Sequence, residues 1–141
     1  HDLANFNVLW VKLHNYHWNI QGVNFFTLHE QTQTFYEYIG GMYDDVAERI
    51  LQLGEKPTAT LEAYLANTRI KEDPREAFGP RDVLESVRAD FEAILDSANE
   101  VHAIASECGD TATLNLYEDH IQTVGKYRWM VNQAAAQEPT A

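Results

Sequence analysis

The sequence predicts an all-α fold: a four-helix bundle of long helices with one long connection, carrying a short helix, between the second and the third. Three observations carry this. Apolar residues recur every three or four positions along most of the chain, the period of a helix that buries one face. Glycine and proline are sparse, at 7 and 4 of 141 residues, so a helix meets few points at which it must stop. No stretch alternates polar and apolar residues as a half-buried strand does, and no internal repeat or low-complexity tract occurs. A chain of 141 residues suffices for a single domain, expected here to span 1–141.

Each helix has its own signature. Leu3, Phe6, Leu9, Trp10, Leu13, Tyr16, His17 and Ile20 keep the helical period, and Gly22 is placed to end it. Thr27-Leu28-His29-Glu30 reads as a capping box that opens a second helix over 28–53, about 39 Å long at 1.5 Å per residue. Gly54 closes it. Residues 55–79 are the least regular, bracketed by Pro57, Pro74 and Gly79, with a brief helix expected at Leu61-Glu62-Ala63-Tyr64-Leu65. Pro80 suits the first turn of a third long helix running to Gly109. Asp110 is the expected N-cap of the last one, which carries Leu114, Tyr117, Ile121, Val124, Tyr127 and Val131. Gly125 inside that helix costs about 1 kcal/mol relative to alanine. The long connection lets the second and third helices run parallel.

Composition narrows the function. Ten Lys plus Arg against 22 Asp plus Glu give a formal charge of −12, a surface that repels phosphate and anionic lipid and attracts cations. No apolar run is long enough to span a membrane. The first residues lack a signal-peptide pattern, and one cysteine, Cys108, excludes an internal disulfide framework and a Cys-based zinc site. A reducing, cytoplasmic setting is the expectation.

Di-metal bundles commonly carry Glu-x-x-His on two helices; here no glutamate has a histidine three residues later. Metal chemistry, if present, therefore needs a site other than that central one. His14 and His17 lie one turn apart, and His29 opens the second helix. Asp44 and Glu48 are four apart, sharing a helix face about 6 Å apart along the axis. Imidazole and carboxylate together suit ferrous iron. Read alone, His17 and His29 are equally ordinary polar residues at a helix interface, and Glu48 is as well placed to pair with Arg49.

The combination resolves the choice. His17-Trp18, Gly22, Asn24-Phe25-Phe26-Thr27-Leu28-His29-Glu30, then Asp44, Ala47-Glu48-Arg49 and Leu53-Gly54 resemble the Dps family, the mini-ferritins known as DNA-binding proteins from starved cells. The likeness runs to Trp129-Met130, nearly the whole chain. It implies a ferritin-like bundle and a hollow homo-oligomer, a dodecamer. It also implies a ferroxidase that oxidises Fe(II) to Fe(III), preferably with hydrogen peroxide, and stores non-haem ferric mineral against oxidative damage. The resemblance assigns His17, His29, Asp44 and Glu48 as metal ligands and catalytic residues. His29 and Asp44 are 15 residues apart, about 22 Å of rise on one helix. Two side chains on one ion span far less, so the implied site needs a second subunit across a two-fold axis. Where some members carry an acid four residues after the second histidine, this chain has Gln33, which leaves a second iron one protein ligand poorer.

The resemblance further suggests that Trp18 intercepts stray oxidant and that Asp110, Glu118 and Asp119 line a cation entrance. Glu30 and Asp45 face either a mineral cavity or solvent. Otherwise Trp10, Trp18 and Trp129 are expected to pack, His14 to sit in the core or behind a ligand, and His102, His120 and Cys108 to carry no role. DNA binding in this family is attributed to Lys/Arg-rich tails; none occurs within 1–141, where Gln137-Glu138-Pro139-Thr140-Ala141 is nearly uncharged, so weak or absent DNA binding is expected. A second reading is a helical assembly or nucleoid-interaction protein without iron chemistry. A haem bundle is disfavoured, because no two candidate axial histidines face each other across one chain.

Overall fold

The structure is a computed structural model that describes residues 1–136; the acidic-poor end at 137–141 lies outside the described residues. Five helices and no strand are found among them: α1 (Asp2–Asn19), α2 (Phe25–Gln52), α3 (Leu61–Asn67), α4 (Pro80–Cys108) and α5 (Thr111–Ala135). Helix α1 packs on α2 and α4 on α5, giving two hairpins, with α3 laid against α1. The connection that holds α3 ends at the top of α2. The Gln21 N–H donates to the Phe78 carbonyl at 2.8 Å, and Ile20 and Phe78 form an isolated parallel bridge. Helix α4 therefore starts where α2 starts, and the two run in the same direction. Gly22 makes this junction: its φ is +116°, and a Cβ there would lie 3.3 Å from the Pro80 ring.

Local signals set several ends. Asp110 caps α5 by accepting from the Thr113 N–H, Pro80 is in the first turn of α4, and Thr60 caps α3 through its hydroxyl. The expected capping box at Thr27 does not form. Helix α2 begins three residues earlier, after Asn24, with no side-chain cap, and Thr27 is an exposed residue of its first turn. Phe25, packed against the core cluster, draws this segment into the helix. The tryptophans also depart from expectation. In the single chain Trp10, Trp18 and Trp129 are 41 %, 67 % and 59 % exposed, so the helical period placed them on outer faces rather than in the bundle.

The core is built from Phe6, Leu9, Leu13, Phe35, Ile39, Phe91, Ile94 and Val124. Two polar contacts are sunk into it. The Lys12 ammonium is 3.0 Å and 2.9 Å from the two oxygens of Asp90, both residues buried, although only Oδ1 lies along a hydrogen-bond direction. Burial pushes the Asp90 carboxyl up to about 6 even against the pull of Lys12. On α5, His120 is 1 % exposed, and burial pushes its imidazole down to about 4.

These groups predict two responses. Lys12→Met leaves a buried carboxylate unpaired and costs about 3 kcal/mol, whereas Lys12→Met with Asp90→Leu recovers most of that loss in chemical denaturation. His120 has a folded pKa below its unfolded value, so the unfolded chain takes the proton first; about 2 kcal/mol is lost between pH 7 and 5. Asp90 has the opposite sign, its folded pKa lying above the unfolded one, so acidification over that window favours the fold. From pH 7 to pH 5 the melting temperature should therefore fall slightly in the parent, fall further in Asp90→Asn, and rise in His120→Gln, where the Asp90 contribution is left unopposed.

Candidate metal centre

His17 lies in the last turn of α1 and His29 in the second turn of α2, and the sharp turn through Gly22 folds one over the other. Their rings stack with centroids 3.6 Å apart and planes 13° from parallel. Each ring is tied to the other residue's backbone: Nδ1 of His17 is 2.5 Å from the His29 carbonyl, and Nδ1 of His29 is 2.7 Å from the His17 carbonyl. A carbonyl oxygen only accepts, so both Nδ1 atoms carry the proton and donate. Both Nε2 atoms are left with a free lone pair, the atom a metal takes from neutral imidazole.

Neighbouring rings hold this pair. Phe25 stacks on the far side of His29 at 5.1 Å, and Tyr36 meets His17 edge-on at 5.3 Å. The Thr32 hydroxyl lies beneath, donating to the Leu28 carbonyl at 2.7 Å. Burial, with His29 and His14 nearby, holds the His17 pKa below its ordinary value, so the ring stays neutral as metal binding requires. His14 is half-buried with its face on Tyr36 at 3.7 Å, and its Nδ1 donates to the Trp10 carbonyl.

Asp44 and Glu48 stand one turn apart on the exposed side of α2, without an ion-pair partner among the described residues. Arg49 does not neutralise Glu48. It turns away to Asp110 at 2.8 Å and to Thr113 at 2.9 Å. This contact occupies Asp110, whose carboxyl is held below its usual range by Thr113 first and Arg49 after it. Glu118 accepts from His102 at 3.3 Å, and Asp119 is exposed.

The structure thus unites His17 with His29, and Asp44 with Glu48, but not the two pairs. His29 and Asp44 sit on one unbroken helix, about 22 Å apart along its axis. Among the described residues, no group of three or more His, Cys, Asp or Glu is close enough to hold a metal ion. What one chain offers is a pair of imidazole donors and a separate pair of carboxylate donors.

This fold is that of a ferritin-like protein, and the family model described as the ferritin-like domain matches residues 1–139. The chain belongs to the Dps family within it. It is 35 % identical to the DNA protection during starvation protein of Helicobacter pylori over 93 % of this chain and 91 % of that one. Among solved structures, Dps from Staphylococcus aureus superposes with a TM-score of 0.92 at 31 % identity, covering 97 % of this chain and 91 % of the other. A Dps protein from Vibrio cholerae O1, described as a member of a broad superfamily of ferritin-like diiron-carboxylate proteins, gives 0.92 at 32 % identity, with 96 % and 84 % covered.

The histidine lock predicts a specific tautomer. In His29→Ala the backbone carbonyl of residue 29 remains, so His17 should keep its proton on Nδ1 while losing the stacked ring. Nitrogen NMR of labelled imidazole checks this; a shift of His17 to the Nε2–H form would contradict the assignment of its donor.

Proposed function

We propose that this protein is an iron-oxidising and iron-storing shell, with Fe(II) as its substrate and hydrogen peroxide as its preferred oxidant. The observation that supports it best is the pair of imidazoles with both Nδ1–H groups committed to backbone carbonyls, presenting two free Nε2 atoms. His17 and His29 of one subunit, with Asp44 and Glu48 of a neighbour, form the ligand set. Because the two pairs lie on one straight helix, they meet only when a second copy of α2 runs antiparallel across a two-fold axis. A dodecamer in the cytoplasm is the assembly we propose.

In this reading the neutral imidazoles bind Fe(II) without first losing a proton, and the hard carboxylate oxygens favour the ferric product. Two Fe(II) each give one electron to peroxide; the O–O bond breaks, two protons are taken up, and two waters leave with two Fe(III). Gln33 takes a position where a carboxylate would add a charged ligand, and its amide N–H donates to Glu37 at 3.0 Å instead. The second iron is therefore held more weakly than the first. A formal charge of −12 makes DNA a poor partner for residues 1–141.

Subunit mixing tests the shared site. His17→Gly with His29→Gly, and Asp44→Asn with Glu48→Gln, should each assemble and each lose rapid Fe(II) oxidation. Random co-assembly of the two makes half the dimers mixed, each with one intact site of two, so about a quarter of the parent rate should return. No recovery in a mixed shell proven by mass spectrometry would refute a site shared between subunits.

A further inference from the structure

The bundle core holds a second set of reactive groups that the iron pocket does not use. The Tyr38 hydroxyl on α2 is 2.6 Å from Nδ1 of His120 on α5, and their rings lie 18° from parallel. Tyr127 meets Tyr38 edge-on at 5.6 Å, while Tyr117 and Phe6 meet His120 edge-on at 5.7 Å and 5.4 Å. Burial disfavours both the phenolate and the imidazolium, raising the pKa of Tyr38 and lowering that of His120. At neutral pH the contact therefore joins a phenol to a neutral imidazole.

The pair is also well placed along the helix. Tyr38 is nine residues after His29 and six before Asp44, about 14 Å and 9 Å of rise. Packed protein fills the interval, and electrons cross such distances without an intermediate carrier. Only protons need a direct path, and here the path is one hydrogen bond long.

We propose that Tyr38, hydrogen-bonded to His120, is a redox-active tyrosine that stores the one-electron oxidising equivalent left when a single Fe(II) splits hydrogen peroxide. The proposal rests on the iron chemistry above. One Fe(II) gives one electron; the O–O bond breaks, one water is formed with an added proton and an electron-deficient oxygen species at the level of a hydroxyl radical remains. Tyr38 loses one electron to that species, which takes a solvent proton and becomes water. The phenol proton moves to Nδ1 of His120, leaving a neutral phenoxyl radical beside an imidazolium. A second Fe(II) then returns the electron, the proton goes back to Tyr38, and the sum is two Fe(II), one peroxide and two protons giving two Fe(III) and two waters. His120 matters because it keeps the displaced proton inside one short contact, sparing its passage through an apolar core.

The test is freeze-quench electron paramagnetic resonance on the assembled protein after mixing with limiting Fe(II) and peroxide. The parent should give a tyrosyl signal that decays on adding Fe(II); Tyr38→Phe should lose it and His120→Gln should weaken it, with Fe(II) binding unchanged in both. An equal signal in Tyr38→Phe overturns the proposal. Azide radicals from pulse radiolysis provide an arm without iron: tryptophan radicals should decay into a tyrosyl absorption in the parent but not in Tyr38→Phe, and equal growth in both overturns it. If the parent oxidises no Fe(II), the iron-shell reading fails by itself and the radiolysis arm alone decides this one. Should Tyr38→Phe fail to assemble, ring-fluorinated tyrosine at position 38 must alter the radical's hyperfine pattern; an unaltered pattern overturns the assignment.

Discussion

The straightness of α2 constrains everything else about the candidate centre. An α-helix rises 1.5 Å per residue whatever its sequence, and neither proline nor a side-chain insertion breaks α2 between Phe25 and Gln52. A histidine and an aspartate 15 positions apart on such a rod cannot converge. Chemistry that needs both must recruit a second rod, so the requirement for a partner follows from helix geometry before any contact between subunits is considered. Asp44 and Glu48 agree with this: they are carboxylates left exposed and without a cationic partner among the described residues, while nearby Arg49 is spent on Asp110 and Thr113. Two adjacent anions facing outward repel each other, a cost that a bound cation relieves.

The fold positions the imidazole half of the centre with more care than the carboxylate half. Gly22 supplies the left-handed turn that brings the end of α1 onto the start of α2, and Pro80 packs against it where the crossover returns. Behind the turn, each histidine satisfies the other's backbone carbonyl, so the two residues fix each other's ring orientation. Carbonyls at the end of α1 would otherwise go without a partner. The same hydrogen bonds therefore close a helix end and set the tautomer of a candidate ligand.

Much of this was legible in the sequence, and the exceptions have physical causes. Pro80 and Asp110 act within one turn of themselves, and their signals translated directly into helix starts. Thr27 carried an equally good local signal that failed, because Phe25 gains more from packing on the core than Thr27 does from capping. The tryptophans follow the helical period, yet period alone does not say which side of a helix is outside when both sides bear large rings. Spacing exposed His17, His29, Asp44 and Glu48 as a set only through family likeness; read alone, each was an ordinary polar residue. Lys12 with Asp90, Arg49 with Asp110 and Tyr38 with His120 join residues 61 to 82 positions apart. No periodicity reports such pairs, since they are consequences of which helices meet.

Leaving the bundle centre free of a Glu-x-x-His ligand set changes what the core is for. In its place stand Tyr38, Tyr117, Tyr127 and His120, wrapped by Phe6, Phe35 and Phe91. A buried carboxylate cluster would demand a resident cation to offset its desolvation, whereas phenols and a neutral imidazole satisfy one another and pack as aromatic surface. Among the described residues, the one buried carboxylate near mid-bundle, Asp90, is matched by the one buried ammonium, Lys12. An interior arranged in this way holds, among those residues, no buried carboxylate cluster that would need a resident cation, so packing within one chain does not depend on a metal. Folding is thereby completed within one chain, whereas iron binding in the proposed shell waits for two.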